Sequence, residues 1–220
     1  MGWLGGKGKS HSEGENVHCL ESVLTLDLPK FVTPPVYKIF FLVRPEELKL
    51  RLNWPARFKI CLGIARGLAF LHEESKLKIV HRDIEPTNVI PNKDLNAKIS
   101  DFGLAKLYEA EHTLVITRIA GTTFGVVALE IVSGKNGSRY RPNDESASLL
   151  DLAYVLQEKG EFIYLIDPVL GYDYSVKQEM IILDLAMLCT DPSPPLRPAM
   201  SEVVKILGQF YRKVIKCCFL

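Results

Sequence analysis

The stretch IVHRDIEPTNVIPNKDLNAKISDFG, residues 79–103, decides how the rest of the sequence is interpreted. It contains two short motifs: HRD at residues 81–83, with Asn88 five positions after the aspartate, and DFG at residues 101–103. Two short apolar runs separated by a polar turn lie between the motifs, and this pattern predicts a β-hairpin. The hairpin would bring both motifs to one edge of the domain.

The polar residues of this stretch are those that phosphoryl transfer uses. In that reaction one aspartate accepts the proton of the attacking hydroxyl, and a second aspartate and an asparagine hold magnesium against nucleotide phosphates. The spacing assigns the first role to Asp83 and the metal-binding roles to Asn88 and Asp101. The competing explanation is that Asp and Asn are common in turns, where they bind nearby backbone amides. A DFG alone would be weak, but both motifs in order are far more specific.

Composition bounds the remaining possibilities. The chain has 220 residues, of which 24% are charged and 47% hydrophobic, so a packed domain is expected. Its formal net charge of +1 gives no drive towards nucleic acid or an anionic membrane. The five cysteines include no C-x-x-C pair, which favours a reducing, cytoplasmic location over a disulfide framework or a zinc site. No run approaches the ~20 apolar residues of a membrane span, so no transmembrane segment is expected.

A central helix is predicted after Asn53. That residue can cap the helix, Pro55 sits in its first turn, and the helical spacing of apolar residues continues to about His72. Because the helix is apolar over much of its circumference, it should be central to the core. Cys61 on this helix is expected to be a small core residue and not a nucleophile.

The remaining pattern is mainly helical. A buried strand is predicted at residues 36–43, and residues 104–123 are predicted to form a polar, threonine-containing loop. Helices are predicted over residues 124–133, with Gly134 as the stop, and over three later segments, residues 149–156, 176–189 and 200–210. The Gly-rich residues 5–10 fit neither a Walker loop nor a kinase glycine loop.

Six stretches together resemble the plant receptor-like serine/threonine kinases, and among them the leucine-rich-repeat receptor kinases. They are NWPAR (53–57), HRD (81–83), KISDFGLAK (98–106), FGVVALEIVSGK (124–135), CTDPSP (189–194) and LRPAMSEVV (196–204). The resemblance covers about residues 44–208, leaving residues 1–43 as a non-matching N-terminal segment and residues 209–220 as a tail. It implies an α+β, protein-kinase-like fold dominated by a mainly helical large lobe.

The resemblance also implies a function and its residues. The family transfers the γ-phosphoryl of ATP to serine or threonine, with Asp83 as the base and Asn88 and Asp101 as Mg²⁺ ligands. Ile90 would form part of the floor under adenine. Arg82 would pair with a phosphorylated residue among the candidates Thr113, Thr117 and Thr122. The implied partners are a protein substrate or an intact receptor kinase, at the cytoplasmic face of the plasma membrane.

Departures from the family pattern weaken the expected activity. Only 43 residues precede the resemblance and none forms the VAIK motif, so the small lobe is expected to be largely missing. Glu85 stands where the family has a catalytic-loop lysine that meets the transferring phosphate. Two like charges ~4 Å apart at a dielectric of ~20 repel by about 4 kcal/mol, which is about three decades in rate. Alternatively Glu85 turns into solvent, and only the favourable lysine charge is lost.

A further departure is a block expected to be missing between Thr122 and Phe124. In the family this block holds the rest of the substrate-docking loop, an A-P-E motif and the start of a buried helix. Arg197 resembles the arginine that pairs with the lost glutamate, so it is expected to turn outward or the region to loosen. Pro91 is expected to interrupt the hairpin.

These features leave three hypotheses for function. The first is a serine/threonine kinase with impaired or no activity, and the second is a catalytically inactive, pseudokinase-type interaction module. The third is a truncated gene product with no function of its own. The ending Cys217-Cys218-Phe219-Leu220 matches C-a-a-X, which predicts geranylgeranylation at Cys217. The alternative is a tail with no role.

Overall fold

A computed structural model gives the arrangement of most of the chain. It describes residues 52–92, 94–108, 113–135, 148–170 and 176–218. For residues 113–121, 176–178 and 213–218 it describes the backbone alone. The predicted strand at residues 36–43 and the N-terminal segment therefore lie outside the described residues.

Helix α1, Trp54–Ala69, is the centre of the core, as predicted. The Asn53 side chain caps it by accepting a hydrogen bond from the Ala56 amide at 3.1 Å. The helical path continues as a π-helix, Phe70–Glu74, just past the predicted end. The largest fully buried side chains of α1 are Trp54, Phe58, Ile60, Leu62, Ile64 and Leu68. Cys61 is also fully buried, and burial raises the pKa of its thiol to about 12, so the thiol belongs to the core.

Two small antiparallel sheets surround the predicted catalytic stretch. Strand β1, Lys78–Val80, pairs with β4, Lys106–Tyr108, and β2, Val89–Pro91, pairs with β3, Ala97–Ile99. The predicted hairpin is therefore confirmed. The expectation that Pro91 interrupts it is wrong, because Pro91 is the last residue of β2 and lies opposite Ala97.

Two glycines of α1 allow the hairpin to lie directly on that helix. A Cβ at Gly63 would stand 2.9 Å from the Ala97 Cβ, and a Cβ at Gly67 would stand 2.8 Å from Ile99 Cδ1. At Gly63 the neighbours are the Cβ and backbone of Ala97, which cannot move aside, so this position requires the absence of a side chain, whereas at Gly67 the neighbour is the end of the Ile99 side chain, which can rotate away. The hairpin that carries the candidate site is thereby placed against the buried helix at the centre of the core.

Helix α2, Thr113–Ser133, begins much earlier than the sequence predicts. Its end is as predicted, because Gly134 follows with a φ of +65°, the left-handed conformation that terminates helices. The expectation of a loop over residues 104–123 is wrong: β4 and the first half of α2 occupy most of that segment. No proline interrupts residues 113–133, so the helix nucleated by the apolar second half can extend backwards.

The remaining helices complete the core. Helix α3, Leu149–Glu158, starts with a capping box between Ser148 and Asp151, and α4, Val176–Cys189, packs against α2. Helix α5, Met200–Cys218, packs against α1 and runs well past the predicted end at Phe210. Within the described ranges, no helix is long and apolar enough to cross a membrane.

Candidate active site

His81 connects the two motifs. It follows β1 directly and is buried. Its Nδ1 accepts a hydrogen bond from the Asp83 amide at 3.3 Å, so the ring proton sits on Nε2, which donates to the Ser100 carbonyl at 2.9 Å. Burial lowers the pKa of His81, and its polar and acidic neighbours offset this only in part. The neutral ring is therefore the form that makes both bonds.

Asp83 and Asn88 lie side by side. The Asn88 Nδ2 donates to the main-chain carbonyl of Asp83 at 2.9 Å and to its Oδ2 at 3.3 Å. Asn88 closes a short 3₁₀ helix, Pro86–Asn88, and is buried. Within the part of the chain that the structure describes, its Oδ1 accepts no hydrogen bond. The amide oxygen is thus left for a ligand while the amide nitrogen is fixed.

Asp101 lies next to this pair because Ser100 bonds to Asn88. The Ser100 amide and hydroxyl both donate to the Asn88 carbonyl, at 2.8 and 3.0 Å. Asp101 then adopts a φ of +65°, and its exposed carboxylate accepts from the Gly103 amide at 3.4 Å. A non-glycine residue at positive φ is uncommon and concentrates at functional sites.

Phe102 completes the contact between the two motifs. Its ring meets the His81 ring edge to face, with centroids 4.7 Å apart. The HRD and DFG motifs are therefore held by a ring contact in addition to the backbone bonds through Ser100.

Glu85 is exposed, and its carboxylate accepts a hydrogen bond from the Thr87 hydroxyl at 3.4 Å. Of the two arrangements expected for it, the structure has the one in which the side chain turns into solvent. Water screens such a charge, so the loss of the lysine charge outweighs direct repulsion.

The other predicted residues are placed as follows. Ile90 is half-buried in β2, opposite Lys98. Arg82 is exposed at a φ of +67°, and its Nε donates to the Leu104 carbonyl at 2.6 Å. The phosphosite candidates all lie within α2 and not in a loop: Thr113, Thr117 and Thr122.

Two further predictions concern the second half of the chain. Arg197 is half-buried, and its Nε donates to the Asp191 carbonyl at 2.7 Å, so it is held in place and not turned away. Cys217 lies near the end of α5, where the side chains are outside the described residues.

The donor set fits a magnesium ion shared with phosphates. In the described ranges, no group of three or more His, Cys, Asp or Glu side chains is arranged to hold a metal by itself. The amide oxygen of Asn88, just before β2, and the carboxylate of Asp101, just after β3, are hard oxygen donors at the same end of the hairpin. Magnesium commonly binds through one or two such groups and takes its remaining ligands from phosphates and water.

Ser100 is the residue that reasoning from sequence missed. Its two donors and its carbonyl all bond to residues of the site. The only signal for Ser100 in the sequence was its position between β3 and the DFG motif. That signal is not specific, because any residue at this position could continue the strand.

Comparison with known proteins agrees with this geometry. The protein kinase domain family matches residues 46–145. Two probable LRR receptor-like serine/threonine-protein kinases of Arabidopsis thaliana are each 55% identical to the chain over 183 residues. A third, from the same organism, is 51% identical over 185 residues. Each match covers 74% of this chain and 18% of the relative, so the chain spans about a fifth of these relatives' length.

The chain therefore belongs to the protein kinase family. Within that family, the relatives to which it is similar are probable leucine-rich-repeat receptor-like serine/threonine-protein kinases of a plant. The predicted kinase-like, mainly helical fold is confirmed, and the family uses ATP and Mg²⁺.

The alignments also show that this chain lacks part of its relatives' sequence. The first match runs over 183 positions, but 74% of 220 residues is about 163, so about 20 positions of the relative have no counterpart here. The block expected to be missing between Thr122 and Phe124 stays a prediction.

Proposed function

We propose that this chain binds Mg²⁺ and the phosphates of ATP at Asn88 and Asp101, and that its transfer of the γ-phosphoryl to protein serine or threonine is strongly reduced. One observation carries the binding part of this proposal. Asn88 is fixed through its amide nitrogen by Asp83 and through its carbonyl by Ser100, the residue before Asp101, while its Oδ1 accepts no hydrogen bond from the described residues.

Each residue has a specific role in the proposal. Magnesium, when bound, would neutralise phosphate charge. Asn88 and Asp101 hold the ion, and Ile90 lies under the adenine. Asp83 faces the hydroxyl of the protein substrate and accepts its proton, because its carboxylate is half-buried and oriented by the amide of Asn88.

Two features support reduced transfer. Glu85 supplies a negative charge where the family uses a positive one, and catalysis of this reaction is almost entirely positioning and charge stabilisation. In addition, about 20 positions of the relative have no counterpart in this chain. By descent, the substrates are proteins and the place of action is the cytoplasmic face of the plasma membrane.

A second candidate is a catalytically inactive module that binds an intact receptor kinase. The helical first half of α2 favours it, because residues 113–123 are helical where the family resemblance predicts a substrate-docking loop. A helix there provides no extended backbone for a peptide substrate. The hypothesis of a truncated product without function remains the third.

Titration calorimetry of the full chain with Mg-ATP, followed by a ³²P-transfer assay, tests the proposal. Wild type should bind, Asp101→Asn and Asn88→Ala should bind at least tenfold more weakly, and transfer should be near background. Asp94→Asn is the matched control, because Asp94 is exposed in the hairpin turn outside the site. Binding without any transfer favours the interaction module, and absence of binding by wild type contradicts the proposal.

A further inference from the structure

Four residues of the site form a closed circuit of hydrogen bonds. His81 Nε2 donates to the Ser100 carbonyl, and Ser100 donates twice to the Asn88 carbonyl. Asn88 Nδ2 donates to Asp83, and the Asp83 amide returns to His81 Nδ1. Each member therefore fixes the next, and the circuit is made by the HRD motif with its Asn88 and by Ser100, the residue that precedes the DFG motif.

We infer that Ser100 is a positioning residue that sets the separation between Asn88 and Asp101; this inference rests on the proposed cation site. Ser100 uses its amide, its hydroxyl and its carbonyl within the circuit. Asp101 is the next residue in the chain, so its carboxylate starts from a backbone that Ser100 has fixed. The same residue thus anchors one proposed ligand and precedes the other.

The hydroxyl adds something that the strand alone does not supply. The bond from the Ser100 amide to Asn88 continues the β2–β3 ladder by one step beyond the pair of Val89 and Ile99. A side chain without a donor would keep that bond but leave the Asn88 carbonyl with a single partner. With the second bond, both lone pairs of this carbonyl are used, and the 3₁₀ turn that carries Asn88 cannot rotate away from Asp101.

The Ser100 side chain is well placed for this role. It is half-buried beside buried Asn88, so water competes only weakly for the hydroxyl. Threonine keeps the hydroxyl, whereas alanine removes it with little change in volume. These two substitutions therefore separate the hydrogen bond from the packing of the site.

The experiment is a titration of the full chain with Mn²⁺ alone, followed by water-proton relaxation. The quantity compared between variants is the Mn²⁺ affinity of the site that Asp101→Asn abolishes. Ser100→Ala should weaken this binding about fivefold, the equivalent of one neutral hydrogen bond, and Ser100→Thr should stay within about twofold of wild type. Ser148→Ala is the control, since it removes the cap of α3 and should lower the melting temperature without changing Mn²⁺ affinity.

The outcomes separate this role from the proposed function. Equal Mn²⁺ affinity of wild type and Ser100→Ala overturns the role of Ser100 and leaves the cation site intact. Equal weakening by alanine and threonine also overturns it, because packing would then explain the loss. If wild type shows no Asp101-dependent binding, both the cation site and this role are wrong. If Ser100→Ala does not melt cooperatively, Ser100→Val replaces it, because valine has the shape of threonine but no donor, and wild-type affinity in that variant overturns the role.

Discussion

Arg57 and Asp167 form a buried ion pair across 110 residues of sequence, with Nη2 and Oδ2 2.6 Å apart and the side chains 3% and 14% exposed. Arg57 also donates to the carbonyls of Leu52 and Ile131. The guanidinium therefore joins the start of α1 to the end of α2 and to the loop before α4. Removing Arg57 would leave Asp167 and these carbonyls without a charged donor, so this ion pair should contribute strongly to the stability of the lobe.

Replacing Arg57 should be strongly destabilising. Arg57→Met leaves the Asp167 carboxylate and two carbonyls without their donor, and we expect a loss of about 3–5 kcal/mol in the free energy of unfolding. Urea denaturation measures this loss. Arg66→Met is the matched control on the exposed side of the same helix and should change stability by no more than about 0.5 kcal/mol. Similar losses in both variants would contradict the role given to the ion pair.

The contact between α1 and the hairpin predicts that replacing glycine by alanine changes stability in opposite directions at two positions. Gly208→Ala in α5 meets no neighbour and should stabilise the chain by about 1 kcal/mol, as expected for helix propensity. Gly63→Ala should destabilise it instead, because the new methyl group collides with Ala97. Thermal melting of the two variants decides this, and a stabilising Gly63→Ala would show that the hairpin does not lie as close to α1 as described.

His72 predicts a specific pH dependence. It is fully buried, neither ring nitrogen has a partner, and burial lowers its pKa to about 4, with His81 adding to the shift. The unfolded chain takes up the proton near pH 6.5 and the folded chain only near pH 4. The stability that this residue contributes is therefore complete above pH 6.5 and is lost as the pH falls, by about 2 kcal/mol at pH 5.

His72→Phe isolates this contribution. The variant removes the titrating ring at similar volume, so its free energy of unfolding should fall less between pH 7 and pH 5 than that of wild type. Carboxylates titrate in both proteins and cancel in the comparison. Parallel curves for the two proteins over this range would mean that His72 is not held neutral by burial.

Restoring the family lysine alone should not restore catalysis. Glu85→Lys returns a positive charge to the catalytic loop, but the missing block and the helical start of α2 remain. We therefore expect phosphoryl transfer to stay near background in the ³²P assay. Glu161→Lys makes the same charge change at an exposed residue away from the site and serves as the reference. Robust transfer by Glu85→Lys would show that this position, and not the missing sequence, limits activity.

The sequence predicted elements whose signals are local. The cap at Asn53, the hairpin and the end of α2 at Gly134 each depend on a few adjacent residues, and the structure has all three. The roles assigned to Asp83 and Asn88 came from their spacing, and the hydrogen bonds between the two residues were found only in the structure. A motif with fixed spacing determines its own geometry once the backbone on either side is specified.

Features that depend on contacts between distant parts of the chain could not be predicted from the sequence. The early start of α2 at Thr113 was hidden because threonines and glycine have low helix propensity, which the packed second half of the helix overrides. The pairing of Arg57 with Asp167 spans too many residues to be inferred from pattern. The unpartnered ring of His72 depends on what surrounds it, which only the assembled core specifies.

Thermal melting of the purified chain with and without Mg-ATP, alongside Asp101→Asn, tests most directly whether this kinase lobe keeps its cation site. We predict one cooperative transition that rises with Mg-ATP in wild type and does not rise in the variant, because a ligand that binds only the folded chain stabilises it. A cooperative transition that Mg-ATP leaves unchanged in wild type would contradict the account.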